Sequence, residues 1–383
     1  MSRVEVKPEM FRWARVRARL DAADLVERFP KYEQWESGEA RPTLKQLEKL
    51  ARVTLTPFGY FFLAEPPKEE LPIPDFRTIA GQAPRRPSAR LLETIYTCQR
   101  RQDWYRDYVL AIGQEPLVFI GSCRQRDGVE TVAESIREAV GLSAERRASA
   151  SDAETALRLM CQEVEEAGIL IMRNGVVGNN AWQPLLVDEF RGFALSDPYA
   201  PLIFLNAADS KAAQMFTLAH ELAHLWLGQS GISNLEETLV RAGSSLEVFC
   251  NQVAAEALVP MTSFRLEWRK EADPVAEFRR LARRFRVSSL VIIRRAHDAG
   301  FLTRDDFDEA FKDEAGRLAR VRGGSAGGDF YKTQTSRLGR RFPTALMVST
   351  LEGKTLYREA YRLLGISKSE TFDQLARELK FSL

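Results

Sequence analysis

Two histidines four residues apart, with a glutamate directly after the first, are the residues of this chain whose types and spacing suit chemistry by themselves. They lie in Phe216-Thr217-Leu218-Ala219-His220-Glu221-Leu222-Ala223-His224-Leu225-Trp226, a His-Glu-x-x-His pattern. On a helix, positions four apart share a face, so His220 and His224 can turn both rings toward one metal ion. Glu221 sits one step round, within reach of a water held by that ion. Two neutral nitrogen ligands and a carboxylate base beside an acidified water are what a zinc hydrolase needs. A five-residue pattern with two free positions also arises by chance, and paired histidines can be ordinary core residues. Three features weigh against that. The chain has only three histidines, and two of them are here. No Pro or Gly interrupts Ser210 to Leu227. The surrounding Phe216, Leu218, Leu222, Leu225 and Trp226 are apolar, so the helix is expected to be buried, and buried imidazoles need partners.

A catalytic zinc takes three protein ligands and keeps one position open. No histidine follows at a suitable distance, which leaves the acids Glu236, Glu237, Glu247 and Glu256. Gly228-Gln229-Ser230-Gly231 breaks the first helix, and Leu246 to Leu258 reads as the next, stopping at Pro260. Glu236 and Glu237 precede it. Glu247, Cys250 and Asn251 share a face at i, i+3 and i+4. Glu256 is about half a turn away at roughly 100° per residue, so it and Glu247 cannot both face the metal.

Phe216 to His224, followed by Leu246-Glu247-Val248-Phe249-Cys250-Asn251-Gln252-Val253-Ala254-Ala255-Glu256-Ala257-Leu258-Val259-Pro260, resembles the ImmA/IrrE family of metallopeptidases. The likeness covers roughly Leu170 to Pro260 and extends more loosely to both ends. It implies that Glu247, the acid before the Cys250-Asn251 pair, is the third zinc ligand; Asn251, one turn beyond Glu247, is placed to steady the outer shell. It also implies a bacterial or phage protein whose substrate is a helix-turn-helix repressor or antitoxin, while the scattered cysteines, read as reduced thiols, suggest the cytoplasm. Asp75-Phe76-Arg77-Thr78 resembles a segment common in longer members of that family, with no role readable from its residues.

The elements that must position this site follow from the rest of the chain. At 383 residues, two or three domains are expected. Lys and Arg nearly balance Asp and Glu, leaving a net charge of +2, so any basic footprint is local. Cys98, Cys123, Cys161 and Cys250 are scattered, with no C-x-x-C, which suggests reduced thiols and neither a zinc knot nor a disulfide framework. Neither a signal peptide nor a membrane-spanning run is expected. Residues 1–64 read as a helical, helix-turn-helix-like domain, with helices over Glu9–Leu20, Ala22–Phe29, Tyr32–Glu36 and Leu44–Val53, the last capped by Thr43. The stretch where a recognition helix belongs, Phe29 to Trp35, carries a proline and few side chains that read bases, so a purely structural helical module is the alternative.

Residues 65–80 form a proline-rich linker, and 81–265 the expected peptidase domain. Within it, Ala89–Leu110, Thr131–Val140 and Ala153–Ala167 read as helices. Gly168–Met172, Gly192–Ser196 and Leu202–Leu205 read as strands. Leu202–Leu205 is apolar throughout and reads as central. Gly192, Phe193, Ala194, Leu195 and Ser196 read as an edge strand that pairs with an extended substrate, the glycine admitting a second backbone.

Residues 266–322 are basic and helix-turn-helix-like: Arg279, Arg280, Arg283, Arg284, Arg286, Arg294 and Arg295 occur with no acid between them. That stripe suits phosphates, and weak DNA binding is expected there, although a solvated helix pair reads equally well. His297 reads as a surface residue. Gly323–Gly328 reads as a flexible loop, and 323–383 as a helical tail. Taken with the family likeness, the expected class is α+β and mostly helical: a small-sheet, zincin-like core flanked by helical domains, holding Zn²⁺ and cutting a protein. The rival is a DNA- or partner-binding regulator whose metal is structural or zinc-sensing, for which Glu221 has no use.

Overall fold

The structure, a computed structural model, describes residues 3–76, 86–233, 245–321 and 337–381. Glu236, Glu237, Arg77-Thr78 and the Gly323–Gly328 loop lie outside them.

Four helices open the chain: α1 (Pro8–Arg17), α2 (Ala22–Arg28), α3 (Tyr32–Glu36) and α4 (Leu44–Val53). They close round their own core of Met10, Phe11, Leu25, Tyr32, Trp35 and Leu50. Thr43 starts α4 by accepting the Gln46 N–H while the Gln46 side chain accepts the Thr43 N–H, a reciprocal cap expected from Thr-x-x-Gln.

The chain then runs through α5 (Ala89–Ala111), α6 (Val129–Val140), α7 (Ala144–Ser149) and α8 (Ala153–Glu166) into β1 (Leu170–Asn174). A hairpin of β2 (Val176–Val177) and β3 (Asn180–Pro184) precedes β4 (Gly192–Leu195) and β5 (Leu202–Asn206). Next come α9 (Lys211–Trp226), the short β6 (Gly231–Ser233), α10 (Ser245–Leu258), α11 (Met261–Glu267), α12 (Pro274–Phe285), α13 (Ser289–Asp298) and α14 (Arg304–Val321). The tail holds α15 (Arg341–Leu351), α16 (Tyr357–Leu364) and α17 (Ser369–Glu378). Helix makes up 59% of the described residues, and the sheet is small and mixed, which makes the class α+β.

That sheet runs β1-β5-β4-β6, with β1 parallel to β5 and the other pairs antiparallel. Along β5 the side chains alternate between two cores. Ile203 and Leu205 face one that also holds Leu218, Leu222, Val253 and Ile292. Leu202 and Phe204 face another that holds Ile95, Phe342 and Phe372. Helices therefore cover both faces, which is why β5 is apolar throughout rather than alternating. The basic helices α12 and α13 share the first core with α9 and α10, and the tail helices pack with α5 on the opposite face. Among the described residues no helix is long and apolar enough to cross a membrane.

The expected edge at Gly192–Ser196 is a correction. β4 is paired on both sides, with β5 through Gly192–Leu195 and with β6 through Gly192–Ala194. The sequence reading missed β6 because three residues beside a glycine-rich turn carry too little periodicity to stand out. With β6 in place, the Ser196 N–H is also taken, donating to Ser230 Oγ at 2.8 Å. Proline at Ala194 would break a central ladder and the fold with it.

Candidate metal centre

Ser210 caps α9 by accepting the Ala213 N–H at 3.3 Å, and every residue from Gln214 to Trp226 is buried. A helix apolar round its whole circumference belongs inside a core. Leu218, Leu222, Leu225 and Trp226 are fully enclosed, each contributing about 1.5–3 kcal/mol or more, which helps offset the cost of burying His220, Glu221 and His224 beside them. α10 packs along α9 and brings Glu247 in from its first turn. The Nε2 atoms of His220 and His224 are 3.0 Å apart. Glu247 Oε2 lies 3.3 Å from the first and Oε1 3.0 Å from the second. All three side chains have zero exposure, and their ligand atoms fall within 4.8 Å of one another.

The electrostatics fit a cation. Burial opposes charge on every group here. At His220 the Glu247 carboxylate overrides burial and holds the imidazolium above its ordinary value, with smaller contributions from Glu221 and Asn251. At His224 burial prevails and lowers the pKa. Burial works against the Glu247 carboxylate too, but the two rings pull it down to about 2. Glu221 goes the other way, pushed up to about 8 by burial and by Glu247, against the pull of His220. Two imidazole nitrogens and a carboxylate converging at this spacing are a donor set that suits a divalent ion such as zinc.

Residues 164–297 match a peptidase family model described as the IrrE N-terminal-like domain. That match supports the ImmA/IrrE family for this part of the chain. A metallopeptidase-type function and a metal go with that family. Residues 338–378, spanning α15 to α17, match a second model described as a domain of unknown function (DUF8813). No curated protein matches the chain.

Within the IrrE-like domain, Glu256 stands apart from the metal group. It is 7% exposed, pairs with the buried Arg295 of α13 and accepts the Met261 N–H, tying the end of α10 to the helices that follow. Half a turn separates the two acids of α10, as the helical phase requires. Glu256→Gln should lower stability by about 3–5 kcal/mol, because it leaves Arg295 charged and buried without its counter-ion. Metal content should not change. Chemical denaturation alongside elemental analysis checks both.

One residue of the site, Ser233, was not found from sequence, and the role of another, Gly192, differs from the one expected. Ser233, at the end of β6, places its Oγ 3.2 Å from His220 Nε2 and also faces Glu221. Gly192 is opposite Ser233 in the ladder. A Cβ on Gly192 would lie 2.5 Å from Thr217 Cγ2, 2.9 Å from the Phe204 carbonyl oxygen and 3.2 Å from Glu221 Oε1. The close approach its glycine permits is that of α9, not of a substrate backbone. Gly192→Ala is expected to cost about 1–3 kcal/mol by overpacking. It should also reduce cleavage more than stability, since β4 and Glu221 must move apart; melting and cleavage rates on the same preparation show whether the two losses separate.

The arginine stretch is largely engaged within the protein. Arg280 pairs with Glu277 and Glu267, Arg284 with Glu267, Arg294 with Asp298 and Arg295 with Glu256. Arg286 donates to the Ala150 carbonyl at 2.5 Å. The acids lie outside 279–295, so the sequence run looked unopposed when the fold had already supplied partners. Arg279 and Arg283 are exposed. His297 packs on Phe307, with ring centroids 4.8 Å apart, away from the metal group.

Proposed function

We propose that this chain is a zinc-dependent metalloendopeptidase that hydrolyses a peptide bond in a protein substrate, a helix-turn-helix repressor or an antitoxin. The observation that carries it is the convergence of His220, His224 and Glu247, with Glu221 next to His220 on the same helix. His220, His224 and Glu247 would hold the metal, leaving a position open. Bound there, zinc supplies a Lewis acid that polarises the scissile carbonyl and acidifies a water. Glu221 takes the proton from the attacking water and passes it to the leaving amine. Its buried setting raises its proton affinity toward neutrality, where a base gives up its proton again readily. Ser233 Oγ, 3.2 Å from the His220 nitrogen that would bind the metal, borders the metal position, and Asn251 faces the same ring.

A purely structural metal site has no use for an acid in the position of Glu221, which favours catalysis over the regulatory alternative. We assign any affinity for DNA to the exposed arginines of α12, and expect it to be weak and salt-dependent. The reading is tested by incubating the zinc-loaded chain with small helix-turn-helix proteins encoded beside its gene. Metal-dependent cleavage of one at a defined bond is the expected result, and intact partners throughout would overturn it.

A further inference from the structure

With β4 enclosed, the free side of the site's sheet is β6, and this chain already fills it. The Ile232 N–H donates to the Pro74 carbonyl at 3.1 Å, and the Phe76 N–H donates to the Ile232 carbonyl at 3.1 Å. Asp75 is thus the parallel partner of Ile232, and Pro74–Phe76 lie along the edge through a single β-bridge. Ile73, just before them, is buried in the core beneath the sheet. Two contacts place this segment at the metal group. The Phe76 ring stacks on the His224 ring, with centroids 5.3 Å apart and planes 4° from parallel. The same ring lies over Gly231, where a Cβ would come within 2.0 Å of Phe76 Cε2. Glycine at 231 therefore makes the seat that the phenyl group occupies.

The neighbouring residue of β6 is Ser233, which reaches His220 at 3.2 Å. A peptide paired along β6 necessarily passes beside both histidines. Extended backbone is how a protease holds a substrate, and a sheet edge supplies the unpaired donors and acceptors that hold it. Here those groups are spent on the chain itself, and His220, Glu221, His224 and Glu247 all have zero exposure. Proline at 72 and at 74 keeps the segment extended while removing two backbone donors, so it lies on the edge through few hydrogen bonds.

We propose that the β6 edge is the substrate-binding strand, that Phe76 on Gly231 marks its side-chain subsite, and that Pro74–Phe76 is an internal occupant a peptide must displace. This deepens the peptidase reading and rests on it. The occupant is an extended peptide with an aromatic side chain, so the class of substrate it stands in for is an extended segment presenting a bulky apolar residue beside the metal.

The test uses the full chain with Glu221→Gln, so that nothing is cut, and a fluorescein-labelled copy of residues 71–76 as probe. Phe76→Ala removes the ring; Phe76→Pro removes the ring and the N–H that bonds Ile232. Deuterium exchange at the Ile232 amide reports whether the edge has opened. Binding of the probe, followed by anisotropy, reports whether the opened edge takes a peptide. Both variants should exchange Ile232 faster and bind the probe about tenfold more tightly or better, because affinity is reduced by the fraction of molecules whose edge is closed. Unchanged Ile232 exchange in both variants overturns the proposal. So does faster exchange with no gain in probe binding. In the parent chain with Glu221 intact and zinc supplied, Phe76→Ala should speed hydrolysis of unfolded casein. Tighter probe binding with no hydrolysis of casein or of the neighbouring helix-turn-helix proteins by any form would leave the internal occupant standing and overturn the peptidase reading instead.

Discussion

Glu221→Gln is expected to abolish peptide hydrolysis while the metal stays bound. The side chains are nearly the same size, and Glu221 is not among the three converging ligands, so neither packing nor metal affinity has reason to change. What is lost is an acceptor for the proton of the attacking water, worth about 10²–10⁴-fold in rate. The pH profile adds a second readout. Burial and the charge of Glu247 raise the Glu221 carboxyl to about 8 against the pull of His220, and a cation beside it lowers that value. A base works only when deprotonated, so cleavage by the parent chain should fall as the pH drops below that region. Residual cleavage by the variant should lack this acid limb. Single-turnover rates across pH, with metal content measured on the same samples, decide the matter. A variant cutting within a few-fold of the parent would remove Glu221 from the chemistry.

Glu247→Gln should weaken metal binding by more than about 100-fold, since even an outer-shell partner is worth roughly 10–100-fold. The amide keeps the shape but loses the charge that both rings face at 3.3 and 3.0 Å. The same charge, working against burial, lifts the pKa of His220, so binding a cation there must expel a proton whenever that ring is protonated. Affinity in the parent chain should therefore fall as the pH drops through the raised His220 value. Glu247 itself, held near 2, stays ionised over that range and adds no pH dependence of its own. In the variant the ring loses its partner, its pKa falls, and the decline in affinity moves to lower pH. Chelator-competition titrations at several pH values measure both effects. Affinity unchanged by Glu247→Gln but lost on Glu256→Gln would mean that the other face of α10 holds the metal.

Much of the site was legible because local periodicity governs it. His220, Glu221 and His224 sit within two turns of one helix, and an all-apolar flank announces a buried helix whatever the tertiary fold. Glu247 and Asn251 followed from the same 3.6-residue period together with the family likeness. The helical phase that sets Glu256 apart also held, since α10 carries it to Arg295 on α13. The central position of β5 was readable because only a strand buried on both faces is apolar throughout.

Short-range geometry thus dictates the ligand helix, the phase of its partner and the buried strand. Contacts between segments far apart in the chain arise from the fold alone. Which strand is the edge depends on β6, three residues with no signal of their own. Whether seven arginines form a patch depends on Glu256, Glu267, Glu277 and Asp298, which come to them only in the fold. Phe76 reaches His224 across nearly 150 residues of chain, and Gly231 is a glycine because of it. Such pairings are settled by long-range packing and strand closure, whose free energy no local window of sequence contains.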